Sequence, residues 1–127
     1  MVVFQFVGFK LVPVKSDNAS SIKKLKIHGG TPTIKFPGGL FLGIAHKPPI
    51  IFFRKSFYRQ FFYLLDDDFN LKMVSREFFL EKFGIEFPCG LIMLGKNLLL
   101  SYGSMDNSAR FLKIPKKEIV GLFNRRF

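Results

Sequence analysis

Short runs of Phe, Ile, Leu and Val alternate along this chain with clusters of turn formers. The breaks read SDNASS, HGG, PGG, KPP, DDDFN and GSMDNS. Gly supplies positive φ, Pro a preset φ, and Asp, Asn and Ser side-chain turn bonds. Turn signals at this spacing predict an all-β protein, as a sandwich, barrel or propeller. Strands are expected over Val3–Val14 with a break at Gly8, and over Thr33–Phe36, Leu40–Ala45, Phe57–Leu65, Asn70–Val74, Gly90–Leu94, Leu98–Tyr102 and Arg110–Ile114. Several are apolar throughout instead of alternating, which predicts a sheet buried on both faces. One short C-terminal helix is expected in PKKEIVGLF, with Pro115 at its first turn and Ile119, Val120 and Phe123 on one side. The segment SREFFLEKF reads as extended. No linker or low-complexity tract divides the chain, so residues 1–127 read as a single domain.

Composition narrows the class. Hydrophobic residues make up 48% of the chain and 18 are Phe, enough apolar surface to drive folding. The one cysteine, Cys89, rules out an internal disulfide framework; in EFPCGLIML it reads as a buried, inert thiol in a reducing compartment. One Cys and two His provide no zinc set. DDDF at Asp66–Asp68 lacks the alternating oxygen ligands of a calcium loop and reads as a charged hairpin turn. MVVFQFVGFK carries no basic residue ahead of its apolar part and no small-x-small cleavage site. No uncharged run reaches the length that spans a bilayer. The chain therefore reads as soluble and cytoplasmic, with no membrane partner. The net charge of +11 raises nucleic acid as a partner. The basic residues are scattered through KKLK, FRKSFYR, KIPKK and NRRF, without an Arg-rich helix or an aromatic ribonucleoprotein signature. That pattern implies no specific nucleic-acid site, only salt-sensitive attraction to polyanions.

Three blocks carry a resemblance: HGGTPTIKFPGGLFLGIAH, GIEFPCGLIMLGKNLLLSYGSMDNSARFLKI and IPKKEIVGLF, together spanning about residues 28–123. They resemble the C-terminal part of the five-bladed β-propellers of glycoside hydrolase family 130, which are mannoside phosphorylases and hydrolases. In that family a Gly-rich turn with Thr-Pro leads through a strand to a His. Here it is Gly29-Gly30-Thr31-Pro32, ending at Ala45-His46. The family's FP-x-G matches Phe87-Pro88-Cys89-Gly90, and its YYG-x-x-D is similar to Tyr102-Gly103-Ser104-Met105-Asp106, with Ser101 at the first position. The resemblance implies a partial β-propeller of two to three antiparallel blades with a short C-terminal helix. It also implies a mannoside-like glycan as ligand and inorganic phosphate as co-substrate, with no other cofactor. The family's proton donor lies in an N-terminal motif resembling Glu-Asp-Pro-Arg, which this sequence lacks. A propeller blade takes about 40–45 residues, so about three fit. The chain is then expected to be a fragment, a reduced survivor, or one part of an assembly with the other blades on another chain.

Each candidate residue has a functional reading beside a plainer one. The resemblance makes His46 a phosphate ligand; otherwise it is a surface histidine before KPP. His28 precedes a glycine pair whose N–H groups suit a hydroxyl or anion, or else it is a turn residue bonded to its own backbone. Gly30 opens onto the same hollow, and Thr31 caps or orients the turn. Asp106 suits paired sugar hydroxyls or holds an Asx-turn. Tyr102 stacks on a pyranose or belongs to the core with its OH at the rim. Glu86 lines the pocket or faces solvent. Catalytic residues are not identifiable, and three functions stay open. These are a glycoside phosphorylase- or hydrolase-like protein inactive on its own, a non-catalytic glycan-binding or glycosyltransferase-associated module, and a basic structural protein.

Overall fold

The computed structural model describes residues 3–7, 10–14, 26–81 and 84–124. The elements in chain order are β1 (Val3–Val7), β2 (Lys10–Val14), β3 (Gly29–Gly30), β4 (Ile34–Phe36), β5 (Leu40–His46) and β6 (Ile50–Phe52). There follow β7 (Lys55–Phe57), β8 (Gln60–Leu65), β9 (Leu71–Val74), β10 (Glu86–Leu94), β11 (Asn97–Ser104), β12 (Ser108–Pro115) and helix α1 (Lys116–Asn124). Every strand pairing is antiparallel. The all-β expectation holds, with one short C-terminal helix. β1 and β2 pair antiparallel, and the break expected at Gly8 lies outside the described residues.

Two sheets make the body. One runs β3-β5-β8-β9 with β4 also on β5; the other runs β10-β11-β12. Leu42 and Ile44 of β5 with Phe62 and Leu64 of β8 bury one face against Leu98, Leu100 and Tyr102 of β11 and Ile119 of α1. The opposite face of β5 and β8 buries Ala45, Phe61, Tyr63 and Leu65 against Ile27, Phe41, Phe69 and Leu71. Every residue of β8 is buried. That two-sided burial is why these strands are apolar throughout, while β11, with one buried face, alternates along its length.

Turn chemistry fixes the ends. At DDDF the Asp66 carboxylate accepts the N–H groups of Asp68 (3.0 Å) and Asn70 (2.8 Å), closing the β8–β9 connection as a charged turn. Segment 75–81 is irregular, not helical, and within it Phe78 exchanges backbone hydrogen bonds with Gln60 as an isolated bridge. Three expectations need correction. Cys89 is exposed: the register shifts between Pro88 and Gly90, and this bulge turns the thiol outward. Val120 of α1 is exposed, and Leu122 joins Ile119 and Phe123 on the packed side, as helical spacing from Ile119 requires. Residues 50–57, read from the sequence as loop and the start of one strand, form a separate hairpin, β6–β7.

Candidate functional site

β5 ends at His46 because Lys47 is followed by Pro48-Pro49, which cannot continue a ladder. Beside it β3 contributes only two residues, pairing Gly29 with His46 and Gly30 with Ala45. The His28 N–H donates to the His46 carbonyl (2.9 Å) and the Thr31 N–H to the Ile44 carbonyl (2.9 Å). Thr31 is itself buried, and its hydroxyl accepts the Ile44 N–H at 3.2 Å, so the side chain extends the ladder where β3 runs out. Both glycines are steric necessities. A Cβ at Gly29 would stand 2.9 Å from His46 Cε1, and one at Gly30 would overlap the Ile44 carbonyl. The sequence HGGTP therefore lets β3 lie flat on β5 with the imidazole of His46 tucked over Gly29.

His46 is only 6% exposed. Its ring is held edge-on by three others: His28 (centroids 5.8 Å), Tyr58 (5.3 Å) and Phe87 of β10 (5.6 Å). Burial, and secondarily the neighbouring His28, hold its pKa below the usual 6.5. Across the ladder stands Gln60, fully buried, whose side-chain amide donates to the Glu86 carbonyl at 3.0 Å. Two buried polar atoms of this pair, His46 Nδ1 and Gln60 Oε1, have no protein partner among the described residues. Native proteins leave few such groups, because each costs roughly 1–3 kcal/mol.

The sign of the His46 shift sets a pH dependence. Above pH 6.5 the neutral ring is common to both states and its contribution to stability is fully present. As pH falls below 6.5 the unfolded chain takes up a proton that the folded ring resists, and stability drops. The melting temperature is expected to decline from pH 6.5 towards about 5, and His46→Gln to flatten that decline. An unchanged slope in the variant would remove the buried imidazole from the account.

The sequence-derived residues fall into two groups. His28, Gly30, Thr31 and His46 come together at the β3–β5 end. A cleft of about 330 Å³ there is lined by His28, Gly29, Gly30, Thr31, Ala45 and Tyr63. It opens on the Ala45–Tyr63 face, with His28 at the boundary between it and the His46 ring. Glu86 is fully buried, not solvent-facing: its carboxylate accepts the N–H groups of Leu80 (2.8 Å) and Glu81 (2.9 Å). Tyr102 lies in the core with its OH donating to Glu81 (3.0 Å), and Arg110 pairs with the same carboxylate at 2.7 Å. Burial, then the Glu81 bond, raise the Tyr102 pKa above 10. Asp106 is exposed at φ 58° in the β11–β12 turn, which Asn107 N–H closes onto the Ser104 carbonyl. That turn is tied to the loop before β10 by the Met105 N–H on the Ile85 carbonyl. Sequence reasoning missed Tyr58 and Gln60. Gln60 was the detectable one, a polar residue among the apolar positions of β8.

No three metal-ligating side chains cluster among the described residues, and none of their helices is long and apolar enough to cross a membrane. The decisive comparison is with protein families: the model described as beta-1,4-mannooligosaccharide phosphorylase matches residues 8–125. The chain belongs to glycoside hydrolase family 130. It is therefore a carbohydrate-active, mannoside phosphorylase- or hydrolase-like protein. No curated protein and no solved structure matches it. Within a family 130 chain, the glycine pair of β3 and the histidine ending β5 are the elements that the sequence blocks singled out. They are adjacent in space as well as in motif order.

Proposed function

We propose that this chain supplies the glycan- and anion-binding wall of a mannoside phosphorylase-type site, its two sheets serving as blades of a partial propeller. The observation that carries this reading is the cross-strand pair His46–Gln60, buried at the end of β5 and β8 with Nδ1 and Oε1 unpaired. A donor-acceptor pair of that kind suits a hydroxylated ligand bearing an acidic oxygen, since each atom then gains the hydrogen bond it lacks. His28 and His46 face the anion in this reading, and Gly30 and Thr31 shape the turn against the sugar. Asp106 stands at the neighbouring sheet's exposed turn as a further sugar contact, while Tyr102, in the core, acts by holding Glu81. Glu86 acts through position: its carboxylate fixes Leu80 and Glu81, and its carbonyl holds Gln60. Phosphate attack at the anomeric carbon with inversion also needs an acid on the leaving oxygen. That acid is not among these residues, so the chain alone is expected to bind and not to turn over.

Isothermal titration of the full chain with β-1,4-mannobiose and with inorganic phosphate, at fixed moderate salt, tests this. Saturable binding of the mannoside is expected, weakened at least about tenfold by His46→Ala. Binding that ignores sugar identity and collapses with salt would leave only a polyanion-binding protein. Release of mannose 1-phosphate by the isolated chain would show that the acid is present after all.

A further inference from the structure

Past His46 and Gln60 the β5–β8 ladder continues through the Lys47 N–H on the Arg59 carbonyl (3.0 Å) and then rises as the hairpin β6–β7. Its pairs are Ile50–Phe57, Ile51–Ser56 and Phe52–Lys55. The tip is Phe53-Arg54, both left-handed at φ 47° and 61°. Such a turn favours Asn-Gly, and two bulky residues there hold strain. The hairpin is also exposed, with Ile50, Phe52 and Phe57 on one face and Ile51 opposite Ser56 on the other: Ile51 is 72% and Phe53 84% accessible, with Ile50 and Phe52 also open. Between it and Phe79 lies a hollow of about 390 Å³ lined by Ile50, Phe52, Phe57 and Phe79. A lone two-stranded hairpin is marginally stable at best in water.

We propose that β6–β7 is an interfacial anchor that inserts Ile51, Phe52 and Phe53 into an anionic lipid surface. Charge selects the occupant. No acidic residue occurs between Lys47 and Arg59, and those two basal cations are taken up by Glu77. Arg54 and Lys55 at the tip have no ion-pair partner among the described residues. Cations level with exposed aromatics match the boundary between headgroups and acyl chains. The net charge of +11 draws the whole chain to an anionic surface and repels a second copy of itself. A protein groove covers one face of a projecting hairpin, whereas a lipid layer surrounds both. No helix among the described residues is long and apolar enough to cross a membrane, and an anchor lying in the interface needs none. This inference is independent of the mannoside reading.

The chain has no Trp, so Phe53→Trp places a single reporter at the tip. With vesicles of about one part phosphatidylserine to two of phosphatidylcholine, its emission is expected to shift to the blue and to be quenched by brominated acyl chains. Phe52→Ser/Phe53→Ser, at exposed positions, is expected to keep the wild-type circular dichroism and lose at least about tenfold in partitioning. Phe53→Asn is expected to weaken partitioning while raising the melting temperature, because it relieves the turn. Binding to anionic vesicles without quenching, or unchanged by the Ser pair, would reduce the effect to bulk charge and overturn the proposal. So would an absence of vesicle binding. Concentration-dependent self-association abolished by the Ser pair, with no lipid binding, would make the hairpin a protein interface instead.

Discussion

Glu86→Ala is expected to lower stability by about 3 kcal/mol, near the upper end for a single substitution. Glu86 is a fully buried carboxylate with each oxygen committed to a backbone donor, Leu80 N–H and Glu81 N–H. Removing it orphans both donors and leaves a cavity between β10 and the loop that precedes it, and charge-assisted bonds of this kind contribute more than neutral ones. Glu81 is also the acceptor for Tyr102 and Arg110, so the loss propagates into β11 and β12. Glu86→Gln keeps the volume but turns an amide NH₂ towards one of the two N–H donors, and is expected to recover only part of the loss. Urea unfolding of both variants with unchanged m-values checks this. A Gln variant as stable as the wild type would show that one hydrogen bond suffices.

The second large effect is at Gly30. Gly30→Ala puts a methyl into the Ile44 carbonyl oxygen and 2.9 Å from the Ala45 Cα, both backbone atoms of the buried part of β5. Backbone cannot yield as a flexible side chain does, so β3 must lift from β5. A cost of about 2–3 kcal/mol and a fall of roughly 10 °C in melting temperature are expected. Because β3 also aligns Gly29 under the imidazole of His46, mannoside binding should fall with it, whereas vesicle partitioning through β6–β7 should not. Wild-type stability in Gly30→Ala would contradict the close strand approach.

The contrast between these sites explains what the sequence revealed. β5 and β8 were legible because burial on both faces leaves an unbroken apolar run, and HGG because close approach and ring packing demand residues without side chains. β6–β7 was not: its turn is Phe-Arg, against the usual turn preferences, so the pattern assigns residues 50–56 no strand and places only Phe57 in one, as the start of β8. Glu86 was opaque for a different reason. One acid between Ile85 and Phe87 carries no local sign that its partners lie on the preceding loop, and the plain expectation for a carboxylate is solvent. Cys89 was misplaced by a bulge that periodicity cannot register. Gln60 is seen to sit opposite His46 only once the β5–β8 register is known, and Tyr58 reaches the same ring from just before β8.

The two-residue length of β3 bears on how a visitor reaches the imidazole. β5 and β8 are clamped from both sides, so neither can swing aside without breaking the protein's interior. β3 is held to β5 at Gly29 and Gly30, with the flanking His28 and Thr31 amides completing the attachment. Gly29 closes one side of the imidazole while Tyr58 and Phe87 close others, so the two-residue strand is the wall of that enclosure held by the fewest ladder pairs.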